Sequence, residues 1–280
     1  MVSGVTSTER VAGDVPAVGA FIAKWRMREP EMVYAEVFCA RSLRTRFAAW
    51  GALLFELREA AFELSDARLI EVKSAWWADE LMRCAQGAPR HPLTQAMVAT
   101  QLSGVEPPWN ALAHGMLAMA HADPSRPVDR DAALAAIAPL AEGIAMVEAA
   151  VFGATMTNAA SRMVAVHLLC ERLRVGIAAS DGGRVPLSLL ARHAIAGSML
   201  GQPQGAPVLA DWASELAAAQ PADVAGLALY RASRSAFDTW FLRELATGHA
   251  HGALPRLRAL RLAWHAARQS RRTVQTASFT

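Results

Sequence analysis

Apolar residues recur at alternating steps of four and three between positions 41 and 64 of the 280-residue chain. The residues at these steps are Leu43, Phe47, Trp50, Leu54, Leu57, Ala61 and Leu64. Because an α-helix turns once every 3.6 residues, this spacing predicts a helix with one core-facing stripe. No segment alternates apolar and polar residues between turn-forming residues, as strands of a half-buried sheet do. The sequence therefore predicts an all-α fold.

The rest of the chain favours helices in the same way, with alanine-rich runs such as DAALAAIAPLAEGIAMVEAAVF. Several of these segments are apolar around much of their circumference, which predicts a bundle with a central buried helix. We expect one domain over residues 14–268, between flexible tails at 1–13 and 269–280. The predicted helices cover about residues 15–28, 41–64, 67–85, 93–101, 107–121, 131–152, 155–179, 208–219, 222–246 and 253–268.

Cysteine usage and the terminus bear on the compartment. The chain has three cysteines, far apart and in no CxxC pair, so neither a disulfide framework nor a structural zinc site is predicted. The N-terminal residues are polar and unlike a secretory signal. The longest apolar run is interrupted by Pro139, Glu142 and Glu148, so we expect no membrane span. The expectation is a cytoplasmic protein.

The net charge of +3 is unevenly distributed. Residues 245–280 contain six arginines and no acidic residue, so the remainder carries 22 basic and 25 acidic residues, or −3. Only Trp264 is an aromatic residue among these arginines, and no nucleic-acid-binding module is recognisable, so no nucleic-acid partner is expected. The segment is either a solvated helix or a surface for peripheral membrane contact or an acidic partner.

An acidic stripe is the main candidate for chemistry. Glu56, Glu59 and Glu63 would lie within about 60° of one another on a helix. Such a stripe is either a solvated face, with local ion pairs to Arg58, or half of a cation site. The sequence has no phosphate-binding glycine loop, no zinc-protease motif and no serine-hydrolase elbow.

Two segments resemble the squalene/phytoene synthase family. The first is KSAWWADELMRCAQGAPRHPLTQAM, with its paired tryptophans followed by Gly-x-Pro-x-His-Pro, and the second is ERLRVGIAASDGGRVPLSLLARHAI. With the preceding helix, the matches span about residues 21–195 in the family's order. The resemblance implies an isoprenoid-synthase-like helical bundle around a central cavity.

The resemblance also implies a site. In active members, two aspartate-rich motifs face each other and bind Mg²⁺ ions that hold prenyl diphosphates for head-to-head joining of two allylic chains. The metal neutralises the charge that develops on the leaving group. Aligned with the first motif, Glu59 and Glu63 take its outer carboxylate positions, Ala60 its middle one and Glu56 that of its arginine. Glu59 and Glu63 are thus candidate metal ligands, with Mg²⁺ as the cofactor of an active protein.

The second motif is less well kept. Arg174 retains its arginine and is the candidate diphosphate-binding residue. Glu171 stands at the asparagine, and Val175 and Ala179 stand at both aspartates. Without that second carboxylate pair, a metal cluster would have one protein wall. The resemblance then implies a divergent member in which head-to-head prenyl transfer is lost or impaired.

Three hypotheses follow from the sequence. The first is a non-catalytic protein that binds a protein partner or an apolar isoprenoid ligand. The second is an active Mg²⁺-dependent transferase of prenyl diphosphates, and the third is an unrelated helical interaction protein. Trp76 and Trp77 are adjacent and point differently, so we expect one in the core and the other lining a groove or packing on Lys73.

Overall fold

The computed structural model describes residues 9–64, 66–123, 125–176, 185–222, 226–248 and 254–276. These residues form twelve α-helices and no β-strand, which confirms the all-α prediction. The helices are α1 (Glu9–Arg28), α2 (Met32–Phe38), α3 (Arg44–Arg58), α4 (Ala67–Ala85), α5 (Pro92–Ala99), α6 (Trp109–Ala120), α7 (Arg130–Phe152), α8 (Asn158–Gly176), α9 (Leu187–Arg192), α10 (Ala206–Ala219), α11 (Leu229–Ala246) and α12 (Arg256–Thr276).

Helix α3 carries the apolar stripe into the core. Phe47, Trp50, Leu54 and Leu57 are all buried. The single helix predicted over 41–64 is divided, however, because a 3-10 turn precedes α3 and a π-helical turn over Glu59–Glu63 follows it. A π-turn inserts one residue into the helical repeat, so it rotates the side chains beyond it relative to the stripe. Glu59 and Glu63 are the first and last residues of this π-helical turn, and Glu56 lies just before it.

Helix α7 is largely buried between α6 and α8, with one exposed face along Ala135, Glu142 and Met146. Among the described residues it is the one helix that is long and apolar enough to cross a membrane. The sequence predicts no membrane span for this segment. In this fold 61% of its apolar window is buried, as is typical of the core helix of a bundle. Its one buried charge, Glu148, accepts hydrogen bonds from Arg231 at 3.0 and 2.8 Å and from the Trp50 indole at 2.9 Å. Those contacts satisfy the carboxylate within the protein.

Two glycines allow α6 and α7 to pack closely. A Cβ added to Gly115 would lie 2.8 Å from the Cα of Leu140, and one added to Gly143 would lie 2.7 Å from the Cα of Leu112. The contacts are reciprocal and involve backbone atoms, which cannot move aside as a flexible side chain can. Glycine is therefore required on both sides of this crossing.

The helical bounds extend past the predicted domain. Helix α1 begins at Glu9 and α12 continues to Thr276, so helix enters both segments that the sequence predicts as tails. Helices α2 and α9 were not predicted, because both are short and lack a full period of apolar spacing. Asp129 caps α7, its carboxylate accepting from the amide of Ala132 at 2.8 Å.

We expect Gly143→Ala to destabilise the protein by about 1–3 kcal/mol, because the new methyl group overlaps the backbone of α6. Gly19→Ala on α1 is the matched control, since nothing lies within 4 Å of its added Cβ. There alanine should be neutral or stabilising by up to about 1 kcal/mol, because it restricts the unfolded chain. Urea denaturation of both variants measures the difference, and equal stability would contradict the close crossing.

Candidate functional site

A lysine from α1 pairs with two carboxylates of the acidic stripe. The Nζ atom of Lys24 lies 2.9 Å from Oε1 of Glu56 and 2.6 Å from Oε2 of Glu59. Burial lowers the pKa of Lys24, but the hydrogen bonds to both carboxylates outweigh that effect and raise it above 10.5, so Lys24 stays charged at neutral pH. The stripe thus holds a cation that belongs to the chain. The side chain of Glu63, the other candidate ligand, lies outside what the structure describes.

A groove of 340 Å³ opens beside these two carboxylates. Its walls include Val72, Lys73, Trp76 and Trp77 of α4. Trp77 is 5% exposed and Trp76 is 46% exposed, so one indole is in the core and the other faces the groove. The two rings pack edge to face with centroids 5.0 Å apart.

His91 completes the aromatic wall. Its ring centroid lies 4.9 Å from that of Trp77 and 5.8 Å from that of Trp76. Burial lowers the pKa of His91, more than the nearby Glu80 raises it. Its Nδ1 accepts a hydrogen bond from the amide of Leu93 at 3.3 Å, which places the proton of the neutral ring on Nε2. Most of the groove surface is therefore apolar or aromatic.

Buried Glu80 explains the His-Pro segment. Its Oε1 accepts hydrogen bonds from the amides of Arg90 and His91 at 2.7 and 2.8 Å and from the hydroxyl of Thr94 at 2.6 Å. Pro92 then begins α5, where a missing N–H costs nothing. This arrangement fixes His91 against the tryptophans.

A network of buried ion pairs lies between the two helices that align with the family motifs. Arg58 at the end of α3 donates to Oε1 of Glu29 at 2.8 Å, and its Nη2 lies 3.6 Å from Oε2 of Glu171 on α8. Its Nη1 also lies 3.5 Å from Nε2 of His167. Side chains of α3 and α8 are therefore in direct contact within this network. The guanidinium of Arg58 is buried among these residues, while the side chain of Glu63, the member of the acidic stripe that follows it by five positions, lies outside the described residues.

Arg174, the predicted diphosphate-binding residue, belongs to the same network. Its Nη1 lies 3.0 Å from Glu171 and 3.3 Å from Glu31, and its Nη2 lies 3.6 Å from Asp238. The guanidinium also stacks on the ring of Phe241, 4.2 Å from the centroid. Burial lowers the pKa of Arg174, but the negative charge of Glu171 and of its neighbours outweighs that effect, so the pKa lies above its usual value. Its positive charge is thus already matched by carboxylates of the chain.

Helix α11 supplies the other half of the network. Arg234, fully buried, donates to Glu29 at 3.1 Å and to Glu31 at 2.7 Å. Asp238 lies 3.2 Å from Arg234 and 2.9 Å from Nδ1 of His167. Four carboxylates thus face three guanidiniums and one imidazole among the described residues. The members are Glu29, Glu31, Arg58, His167, Glu171, Arg174, Arg234 and Asp238.

These residues do not fit Mg²⁺. Ligand atoms of His167, Glu171 and Asp238 lie within 4.8 Å of one another, so their spacing alone suits a metal. Each of the two carboxylates already faces an arginine, and a cation there would be repelled by three guanidiniums. Mg²⁺ also prefers an octahedron of oxygen ligands and keeps several waters, which this buried cluster does not offer.

Sequence reasoning missed most of this network. A usable signal was present in α11, where Arg231, Arg234 and Asp238 recur at steps of three and four, the spacing of a core-facing stripe. Charged residues at core spacing predict buried partners. Lys24 has no such signal, because its partners follow it by 32 and 35 positions. Of the second-motif positions, Ala179 and the side chain of Val175 lie outside the described residues.

Comparison with known proteins adds evidence on the fold. No protein-family model matches the sequence, and no curated protein matches it. Among solved structures, the chain is similar to a crystal structure of a dehydrosqualene synthase in complex with a ligand. The TM-score is 0.62 with 14% sequence identity, over 90% of this chain and 97% of that chain.

The chain has an isoprenoid-synthase-like fold. The agreement covers nearly the whole of both chains, so it applies to the complete bundle. At 14% identity the likeness concerns the fold alone. The isoprenoid-synthase-like bundle predicted from the resemblance is confirmed, while the role of its polar residues has to be argued from their contacts.

The network makes stability depend on pH in the acid range. Burial raises the pKa of Glu29, but the charges of Arg58 and Arg234 outweigh it and lower the pKa from 4.5 to about 2. A carboxyl with a depressed folded pKa stabilises the protein above its unfolded pKa. That contribution is lost as the pH falls from about 4.5 to about 2.

We expect Glu29→Gln to lower the free energy of unfolding at pH 7 by about 3 kcal/mol or more, because it leaves buried arginines without a partner. The difference from the unsubstituted protein should shrink as the pH falls from about 5 to about 2. Urea denaturation across this range measures it, with exposed Glu142→Gln as the control. A difference independent of pH would contradict a charged Glu29.

Proposed function

We propose that this protein is a divergent isoprenoid-synthase-fold protein that has lost Mg²⁺-dependent head-to-head prenyl transfer and binds an apolar isoprenoid ligand in the aromatic groove. The observation that carries the proposal is Lys24 between Glu56 and Glu59. An ammonium group of the chain is bound to Glu59, one of the two candidate ligands, and to Glu56 beside it. It offsets one of their two negative charges without offering open coordination positions to a diphosphate.

The buried network supports the same conclusion from the other motif. A diphosphate needs cationic groups with charge to spare, and Arg174 is held by Glu31, Glu171 and Asp238. Arg58 and Arg234 are likewise bound to carboxylates. A diphosphate would have to displace these carboxylates into a buried site, where unpaired charges are costly. The network therefore opposes the substrate of a prenyltransferase.

The groove supports binding of an apolar chain. Among the described residues, two carboxylates, Glu56 and Glu59, and two lysines, Lys24 and Lys73, carry charge beside the groove, so their formal charges sum to zero. The lowered pKa of His91, caused by burial, favours its neutral ring. A neutral groove does not attract a polyanion. Trp76, Trp77 and Val72 offer the apolar contact surface that most small-molecule sites have. Its volume of 340 Å³ lies at the lower end for ligand pockets.

Calorimetry with farnesyl diphosphate and with farnesol, each with and without Mg²⁺, tests the proposal. We expect both ligands to bind with affinities within about threefold of each other and no effect of Mg²⁺, because the contacts are apolar. Trp76→Ala should weaken binding by about tenfold or more, since it removes the exposed indole. Trp264→Ala is the matched control, because Trp264 on α12 is similarly exposed, at 42% against 46%.

One result would establish the alternative, an active Mg²⁺-dependent prenyl diphosphate transferase. It is farnesyl diphosphate binding that requires Mg²⁺ and is abolished by the double change Glu59→Ala/Glu63→Ala. Absence of binding by either ligand would instead leave a helical interaction protein as the better description.

The role of Lys24 has a separate test. We expect Lys24→Met to increase the affinity for Mn²⁺, used as a paramagnetic probe, by on the order of tenfold, because it removes a positive charge next to both carboxylates. Lys73→Met is the control, since it makes the same change in net charge on the other wall of the groove. Electron paramagnetic resonance of free Mn²⁺ measures both. Equal affinities for Mn²⁺ in the two variants would contradict the proposal that Lys24 excludes a divalent ion from Glu56 and Glu59.

A further inference from the structure

Helix α12 has two distinct faces. One face is made of alanines and packs against α2 and α11, with Ala259, Ala263 and Ala266 buried. Small side chains let the helix lie close to the bundle. The opposite face is open to solvent, and it carries residues that a solvated helix would not be expected to expose.

The open face bears an apolar stripe. Leu257, Leu260 and Trp264 are 84%, 39% and 42% exposed. They are spaced by three and four residues and therefore lie along one side of the helix. Isolated exposed apolar residues are common, but three in register on one helix, with a tryptophan among them, form a continuous strip.

Arginines flank this strip. Arg261 and Arg268 follow Leu257 and Trp264 by four residues each, which puts them on the same side, and both are exposed. Arg268 stacks on the indole of Trp264, 4.8 Å from its centroid. Within the described residues, neither Arg256 nor Arg261 forms an ion pair, and Arg258 reaches Glu244 only at 3.5 Å. The positive charge of this face is thus available to an external anion.

From these features we propose that α12 docks on a membrane surface rich in anionic lipid. Leucine and tryptophan side chains enter the boundary between headgroups and acyl chains, and arginines bind the phosphates above it. A nucleic acid would use the arginines but would have no use for Leu257 and Leu260. The absence of acidic residues after position 244 removes the repulsion that such a surface would otherwise meet. The proposal uses neither the groove nor the buried network.

Co-sedimentation of the full chain with vesicles tests this docking. We expect binding to phosphatidylcholine vesicles that contain phosphatidylglycerol and little binding to phosphatidylcholine alone. Arg261→Gln/Arg268→Gln should lower the partition coefficient by about fivefold for each arginine, on the order of 25-fold together. Arg68→Gln/Arg90→Gln, on α4 and the loop after it, removes the same charge elsewhere and should have a much smaller effect.

A second pair of variants tests the contribution of the apolar strip to vesicle binding. Leu257→Ala/Trp264→Ala should lower the partition coefficient by tenfold or more, while Trp76→Ala, with an equally exposed indole on α4, should leave it unchanged. Raising the salt from about 0.1 to about 1 M shortens the Debye length from about 10 to about 3 Å and should weaken binding of the unsubstituted protein. Circular dichroism confirms that each variant remains helical.

Three results would overturn the proposal. One is equal binding to neutral and anionic vesicles. Another is loss of binding in the Arg68→Gln/Arg90→Gln variant as large as in the α12 variant. The third is binding to duplex DNA that matches vesicle binding and does not change in Leu257→Ala/Trp264→Ala, which would make α12 a polyanion surface of another kind.

Discussion

The ion pairs buried between α3, α8, α11 and the loop before α2 determine how these helices meet. Removing so many charges from water is costly, and their attraction offsets that cost only when each charge keeps its partners. Glu29 lies between Arg58 and Arg234, so the loop before α2 is joined to two helices at once. Sliding one helix by a single turn, about 5.4 Å, would leave several buried charges unpaired. The network thus selects one arrangement of helices among the many that apolar packing would permit.

The fold and the chemistry of this chain rest on different residues. The stripe of α3, the largely buried helix α7 and the crossing at Gly115 and Gly143 arrange the bundle through size and shape. The acidic residues Glu56 and Glu59 at the first-motif positions pair with Lys24 and take no part in these apolar contacts. A TM-score of 0.62 at 14% identity is consistent with that separation. The same architecture can therefore form around different polar residues.

Periodicity made the all-α class, the α3 stripe and the buried α7 predictable, because it reports which side of a helix faces inward. It does not report which faces meet. Glu29 and Arg234 are separated by 205 positions, and no local pattern joins them. Arg58 was a reasonable partner for the acidic stripe because it is adjacent in the chain. Arg58 also reaches Glu29 and Glu171 in the core, and α1 supplies Lys24 to Glu56 and Glu59.

Lys24 differs from a bound metal in one respect that matters for the whole bundle. The occupancy of a metal site depends on the concentration of the free ion. Its contribution to folding therefore varies with that concentration and disappears when a chelator is added. An ammonium group on the chain is always present beside Glu56 and Glu59. The contribution of this ion pair to folding is therefore the same whatever the supply of divalent ions in its surroundings.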